Sequence, residues 1–122
     1  MPSPTTVLLC DDSRALRMVS RAMLEDAGFS VVAEAANGIE AVHEYTVHKP
    51  DLVLLDLVMP ERDGKQALGE ILAQDRKACV VILSSLGSET DIEDCLRMGA
   101  RSYLQKPIDP ESMTRVLRDV VA

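Results

Sequence analysis

The sequence has no tryptophan and only three other aromatic residues, Phe29, Tyr45 and Tyr103. That is too few for a base-stacking platform. Basic residues are also in the minority: 13 Lys and Arg against 20 Asp and Glu leave a formal net charge of -7. A phosphate backbone is bound by a lysine- and arginine-rich face, so this balance argues against direct nucleic-acid binding. No apolar run approaches the length that spans a bilayer. The N-terminus "MPSPTTVLLC" lacks the basic segment and apolar stretch of a signal peptide. A cytoplasmic protein without membrane contact is expected.

Cysteine is scarce as well. Cys10, Cys79 and Cys95 form no CxxC and are odd in number, which speaks against a disulfide framework. Cys10 and Cys79 lie in apolar runs, where a free thiol packs as a small hydrophobe. His43 and His48 are five residues apart, the wrong spacing for one helix face. No cysteine or carboxylate cluster joins them, so both are expected at the surface.

What the sequence does have is ordinary for a globular chain: 122 residues, 47% of them apolar and 27% charged. That fits one domain, spanning 1–122, able to bury a core without staples. The apolar pattern alternates short runs with longer amphipathic stretches. Residues 6–10, 30–35, 51–56, 79–84 and 101–105 read as strands. The third and fourth are almost continuously apolar, as central parallel strands covered on both faces are; the fifth alternates, as an edge strand does.

Between the strands lie helical patterns. Ser13 caps the first, with Leu16, Val19, Ala22 and Met23 as its apolar stripe and Gly28 as its stop. Asn37 and Glu40 resemble a capping box for a second, running to about His48 before Lys49-Pro50. A third starts near Gly64, with Ala67, Leu68, Ile71 and Leu72 facing inward. A fourth, capped by Ser88 and ending at Gly99, carries Ile92, Cys95 and Leu96 among many charges, the pattern of a lightly anchored helix. In the fifth, Asp109 caps, Pro110 opens the helix, and Met113, Val116, Leu117 and Val120 recur at helical spacing. Strands alternating with helices predict a parallel sheet covered on both faces.

In such sheets ligands sit beyond the carboxyl ends of the strands. The first strand ends in Asp11-Asp12, the third in Asp56, the fourth in Ser84-Ser85, and the fifth runs into Lys106-Pro107. If the first and third strands are neighbours, three carboxylates crowd one volume, and such a cluster holds either protons or a cation. Hard oxygen ligands suit Mg²⁺, for which Mn²⁺ could substitute. Asp12, Asp56 and the Val58 carbonyl would bind the ion, with Asp11 acting through water. Asp12 alone could equally be a helix cap, a reading that weakens for the three together and again for Asp56, which follows four apolar residues and precedes "LVMP" rather than a helix start. Lys106 supplies the opposite charge, and its bond to Pro107 could be cis or trans. Carboxylates, a cation, a hydroxyl and an ammonium are parts suited to phosphoryl transfer, with Asp56 as nucleophile and Ser84 and Lys106 receiving phosphoryl oxygens.

The motifs "LLCDDS", "KPDLVLLDLVMPERDG", "VILSSLGS" and "GARSYLQKP" together resemble the receiver domain of two-component response regulators, near the chemotaxis-type single-domain members. The similarity runs from about Thr6 to Val121. It implies a flavodoxin-like, doubly wound α/β fold with strand order 2-1-3-4-5 and five helices. It further implies Asp56 as phosphoacceptor, Asp11 and Asp12 as the acidic metal pair, Lys106 as the family's lysine, Ser84 as the switch hydroxyl and Tyr103 as the switch aromatic. The implied phosphodonor is a phosphohistidine on a sensor histidine kinase or phosphotransfer domain. The implied output is a face of the fourth helix, fifth strand and fifth helix that binds a downstream protein, in a monomer or a phosphorylation-dependent dimer. Such a protein is a signalling switch rather than an enzyme, assisting only its own phosphoryl transfer and hydrolysis. It would be a stand-alone regulator or the receiver portion of a longer one.

Val58 and Leu86 are apolar where the family often has polar residues along the path of the hydrolytic water, so slow autodephosphorylation is expected. Three other readings compete. A haloacid-dehalogenase-like phosphatase wants a second acid at the Val58 position. A flavodoxin-like electron carrier needs a hydroxyl-rich loop where "CDDSRA" stands. A degenerate receiver acting as a scaffold would lack phosphorylation residues that this chain has.

Overall fold

Five apolar segments pair into one parallel sheet, and each is followed by a helix that packs back onto it. The computed structural model describes residues 4–59, 63–85, 87 and 89–121. The strands are β1 (Thr6–Cys10), β2 (Ser30–Ala35), β3 (Leu52–Asp56), β4 (Val80–Ser84) and β5 (Ser102–Gln105). The helices are α1 (Arg14–Asp26), α2 (Gly38–His48), α3 (Gly64–Gln74), α4 (Glu89–Met98) and α5 (Pro110–Val121). Strand order is β2-β1-β3-β4-β5, all pairs parallel, the flavodoxin-like order that the resemblance implied. Asp51, Cys79 and Arg101, expected as the first residues of their strands, lie just outside them.

Side-chain alternation along the strands divides the core in two. Leu8, Val53, Leu55 and Ile82 pack with Tyr45 of α2, Leu68 and Ile71 of α3 and Cys95 of α4. Leu9, Leu54, Val81 and Leu83 pack on the other side with Leu24 of α1 and Met113 and Leu117 of α5. β3 and β4 are buried along their whole length, while β5 alternates, as central and edge strands should. His43 and His48 are exposed. All three cysteines are free: Cys10 and Cys95 are buried and Cys79 is half-buried. Among the described residues, no helix is long and apolar enough to cross a membrane.

The helix starts follow side-chain chemistry. Ser13 accepts from the Leu16 amide and Asn37 from the Glu40 amide. Glu40 reaches back to the Ala36 amide at 2.8 Å, one residue earlier than a standard capping box would place it. The full box belongs to α3, where Asp63 and Gln66 cap each other. Ser88, the expected cap of α4, lies outside the described residues.

α1 corrects the sequence reading. Its buried residues are Ser20 and Leu24, whereas Leu16 and Val19 of the expected stripe are 45% and 56% exposed. Ala22 is exposed and Met23 half-buried. Arg17 and Arg21 turn toward β2 and pair with Glu34. With these arginines on the β2 side, Leu16 and Val19 of the stripe are left exposed while Met23 packs against the core. α4 is as lightly held as its composition implied: Cys95 is buried, Ile92 is half-buried and Leu96 is exposed.

Candidate functional site

Asp11, Asp56 and Lys106 continue the alternation phase of Leu9, Leu54 and Leu104, which share one core face. At the carboxyl edge of the sheet that phase brings the three side chains together. Lys106 Nζ lies 2.6 Å from Asp56 Oδ2 and 3.0 Å from Asp11 Oδ2. The second oxygen of each carboxylate is held by backbone: Asp56 Oδ1 accepts from the Val58 amide at 3.0 Å, and Asp11 Oδ1 from the Ser13 amide at 2.9 Å. Asp12 is exposed, yet one oxygen from each of Asp11, Asp12 and Asp56 can be chosen so that all lie within 4.8 Å of one another. Three hard oxygen donors at that spacing fit a divalent cation of the Mg²⁺ type.

Burial is the main influence on Asp56, pushing its carboxyl pKa above the ordinary value against the lowering effect of Lys106 and the Val58 amide. Burial pulls Lys106 down, but its hydrogen bonds to Asp56 and Asp11 outweigh this and hold it above the usual lysine value. The ammonium is therefore charged at neutral pH and stands where a cation is wanted. The Lys106–Pro107 peptide is cis.

Ser84 ends β4 on the opposite phase, with Val80 and Ile82. Its carbonyl accepts from the Lys106 amide at 2.7 Å, which ties the two strand ends together. Its hydroxyl is buried and has no hydrogen-bond partner. A buried hydroxyl without a partner is uncommon and costs on the order of 1–3 kcal/mol. Tyr103 on β5 is 46% exposed and points away from the core. Thus Asp11, Asp12, Asp56 and Lys106 are gathered into one cleft, Ser84 is joined to it through the Lys106 amide and buries an unused donor, and Tyr103 stands outside. Val58 meets the site through its amide, and its side chain is exposed. Leu86 lies outside the described residues.

Sequence reasoning missed two supports. Arg17 donates from Nη1 to the Asp11 carbonyl at 2.6 Å while its Nε pairs with Glu34 at 3.0 Å, pinning the turn that carries both N-terminal aspartates. The remoteness of Glu34 in the chain hid this contact. Gly64 donates to the Leu57 carbonyl at 3.0 Å, seating the start of α3 on the residue after Asp56. A groove of about 390 Å³ also opens beside Lys106, walled by Leu16, Val19, Met23 and Ile108.

The profile of the response regulator receiver domain family matches residues 7–118. The chain belongs to that family. This receiver is similar to the chemotaxis protein CheY of Listeria monocytogenes, 39% identical over 111 residues that cover 91% of this chain and 93% of the relative. It is also similar to CheY of Halobacterium salinarum, 40% identical over 115 residues, covering 94% and 95% of the two chains. Among solved structures, the receiver superposes on the CheX–CheY–BeF3–Mg complex of Borrelia burgdorferi with a TM-score of 0.90, 34% identity and coverage of 98% and 90%. The receiver domain of the Pseudomonas aeruginosa sensor histidine kinase PA1611, described with magnesium coordinated in its active-site cleft, superposes with a TM-score of 0.87, 32% identity and coverage of 97% and 98%.

Proposed function

We propose that this receiver accepts a phosphoryl group on Asp56 from the phosphohistidine of a sensor histidine kinase or phosphotransfer domain, and that this switches the face of α4, β5 and α5 for a downstream protein. The observation that carries the reading is the buried Asp56 carboxylate, held by Lys106 and within metal-ligand reach of Asp11 and Asp12. Asp56, kept ionised by the ammonium, attacks phosphorus; the P–N bond breaks and its electron pair returns to the imidazole. Lys106 then meets a phosphoryl oxygen as negative charge spreads in the transition state. Asp11, Asp12, Asp56 and the Val58 carbonyl would hold Mg²⁺, and Mn²⁺ as a substitute; when bound, the ion neutralises the carboxylates and polarises phosphoryl oxygens.

Ser84 supplies the switch. Its unpartnered hydroxyl gains a hydrogen bond when a phosphoryl oxygen arrives, and only a contact that differs between two states shifts their balance. Tyr103 then turns from its exposed position into the space that Ser84 vacates. Leu16, Val19 and Ile108 border the cleft, so a protein donor gains affinity by covering them that a small phosphodonor does not. The reading places the protein in the cytoplasm, acting as a switch that turns over only its own phosphoryl group.

Incubation with acetyl phosphate and Mg²⁺ tests this. The wild type is expected to gain one hydroxylamine-labile phosphoryl mass, and Asp56→Asn none. A label that persists in the Asn variant would place the acceptor elsewhere, and rapid multiple turnover on phosphate esters would favour a phosphatase. The apolar Val58 side chain cannot orient water, so the phosphoform is expected to be long-lived. Decay should accelerate on the order of tenfold in the Val58→Asn, Leu86→Glu variant. Equal decay of the two proteins would show that these positions do not limit hydrolysis.

A further inference from the structure

Lys65 lies outside the proposed phosphorylation chemistry, yet it is the second residue of the helix that follows the acceptor loop. Its ammonium bridges to a different helix: Nζ is 2.6 Å from Asp91 Oδ1 and 3.0 Å from Asp94 Oδ2. Asp94 in turn accepts from Arg97 at 3.2 Å. Gly64, the preceding residue, donates to the Leu57 carbonyl and has no room for a side chain against the Asp56 and Leu57 backbone. Lys65 therefore projects from a backbone that is seated directly on the acceptor loop.

α4 is held lightly along its whole length. Toward the C-terminal end Leu96, Arg97 and Met98 are exposed, with Met98 Cε 3.6 Å from where a Cβ on Gly69 would stand. Cys95 is fully buried in the core. Toward the N-terminal end Glu89, Thr90, Asp91 and Glu93 are exposed and Ile92 is half-buried. Charge adds a second attachment, through one lysine serving Asp91 in the first half of the helix and Asp94 beside Cys95. Holding both acids with one ordered side chain costs less entropy than two separate pairs.

We propose that Lys65 is an electrostatic latch that ties α4, through Asp91 and Asp94, to the acceptor loop, leaving the helix to swing about Cys95, its buried residue, when the latch opens. The latch stands on the salt-bridge geometry alone; its consequence for signalling rests on Asp56 being the acceptor. Because the latch favours the conformation described here, in which Tyr103 is exposed, removing it lowers the cost of reaching the other state. Lys65 then opposes switching in the unphosphorylated protein.

Hydrogen exchange read by mass spectrometry on the full chain tests the latch. In Lys65→Met, which keeps most of the aliphatic stem, α4 amides are expected to exchange about fivefold faster, with α1 and α5 unchanged. Asp91→Asn also weakens a favourable helix-terminus charge, so the double variant is informative: combined with Lys65→Met it should add less than its effect alone. Raising NaCl should speed α4 exchange in wild type and not in Lys65→Met, a response that loss of packing would not give. Labelling by acetyl phosphate should rise about two- to fivefold in Lys65→Met. Unchanged α4 exchange, or faster exchange spread evenly over the domain, overturns the latch. Faster α4 exchange with unchanged labelling overturns its coupling to the acceptor. A wild type that takes no label overturns the acceptor reading and the coupling with it, while the exchange data still decide the latch.

Discussion

Replacing Gly64 with alanine is expected to destabilise the receiver by about 3 kcal/mol, at the upper end of overpacking costs. A Cβ at Gly64 would strike the Asp56 main-chain carbonyl and lie 2.5 Å from Leu57 Cα. These are backbone atoms of a fully buried central strand and its first following residue, and neither can rotate away as a side-chain tip could. α3 must lift or the end of β3 must bend. Either movement displaces the Asp56 carboxylate from Lys106, so phosphorylation by acetyl phosphate should fall together with stability. Gly28→Ala serves as the comparison: a Cβ there meets nothing within 4 Å, but φ is +93°. Only conformational strain opposes it, about 1–2 kcal/mol. Urea unfolding of both variants decides the ranking. A Gly64→Ala protein no less stable than Gly28→Ala would show that the α3 start is not seated on the loop after Asp56 as described.

The contrast between these glycines shows how much of the molecule was legible beforehand. Gly28 is a helix stop that local chemistry announces, as it announces the helix starts at Ser13, Asn37 and Pro110; all concern contacts within a few residues. The apolar runs from Leu52 to Leu55 and from Val80 to Leu83 announce central strands because no polar residue interrupts them. Asp56 was legible as a carboxylate at the end of such a run, and its meeting with Asp11 and Lys106 followed once β1 and β3 were neighbours. Gly64 gave no such signal, since its constraint comes from backbone folded against it rather than from its own turn. The face of α1 was misread for a related reason. Leu16 and Val19 form an apolar stripe at helical spacing, but the structure leaves them exposed and places Arg17 and Arg21 against Glu34 on β2. Lys65 reaching Asp91 and Asp94 was hidden in the same way. Pairing between distant charges leaves no periodicity to find.

Lys106→Met is expected to cost about 2–3 kcal/mol at neutral pH, somewhat below the usual cost of breaking a buried ion pair because the Lys106 side chain is 20% exposed. The loss leaves Asp11, 2% exposed, and Asp56 facing each other with no cation between them. The pH dependence follows from the direction of the Asp56 shift. Its pKa in the fold is already raised above the ordinary carboxylate value, chiefly by burial, so the native state binds that proton more tightly than the unfolded chain does. Across the range from the ordinary value up to the raised one, stability therefore falls as pH rises. Without Lys106 the raised value climbs further. The deficit of the variant should accordingly shrink as pH is lowered through the window just above the ordinary carboxylate range, where Asp56 takes up its proton. For wild type, the stabilisation from Lys106, whose own pKa is raised, is present below the usual lysine value and lost only as pH climbs past the shifted one. Millimolar Mg²⁺ should narrow the deficit at neutral pH as well, since a ligand that binds only the folded cleft stabilises it by mass action, and the variant lacks a lysine competing for the same carboxylates. Urea unfolding of both proteins at pH 5 and pH 7, with and without Mg²⁺, measures all of this. A deficit unchanged by acid and by magnesium would mean that the repulsion between Asp11 and Asp56 is not what Lys106 relieves, and that the cleft is held together by something other than its charges.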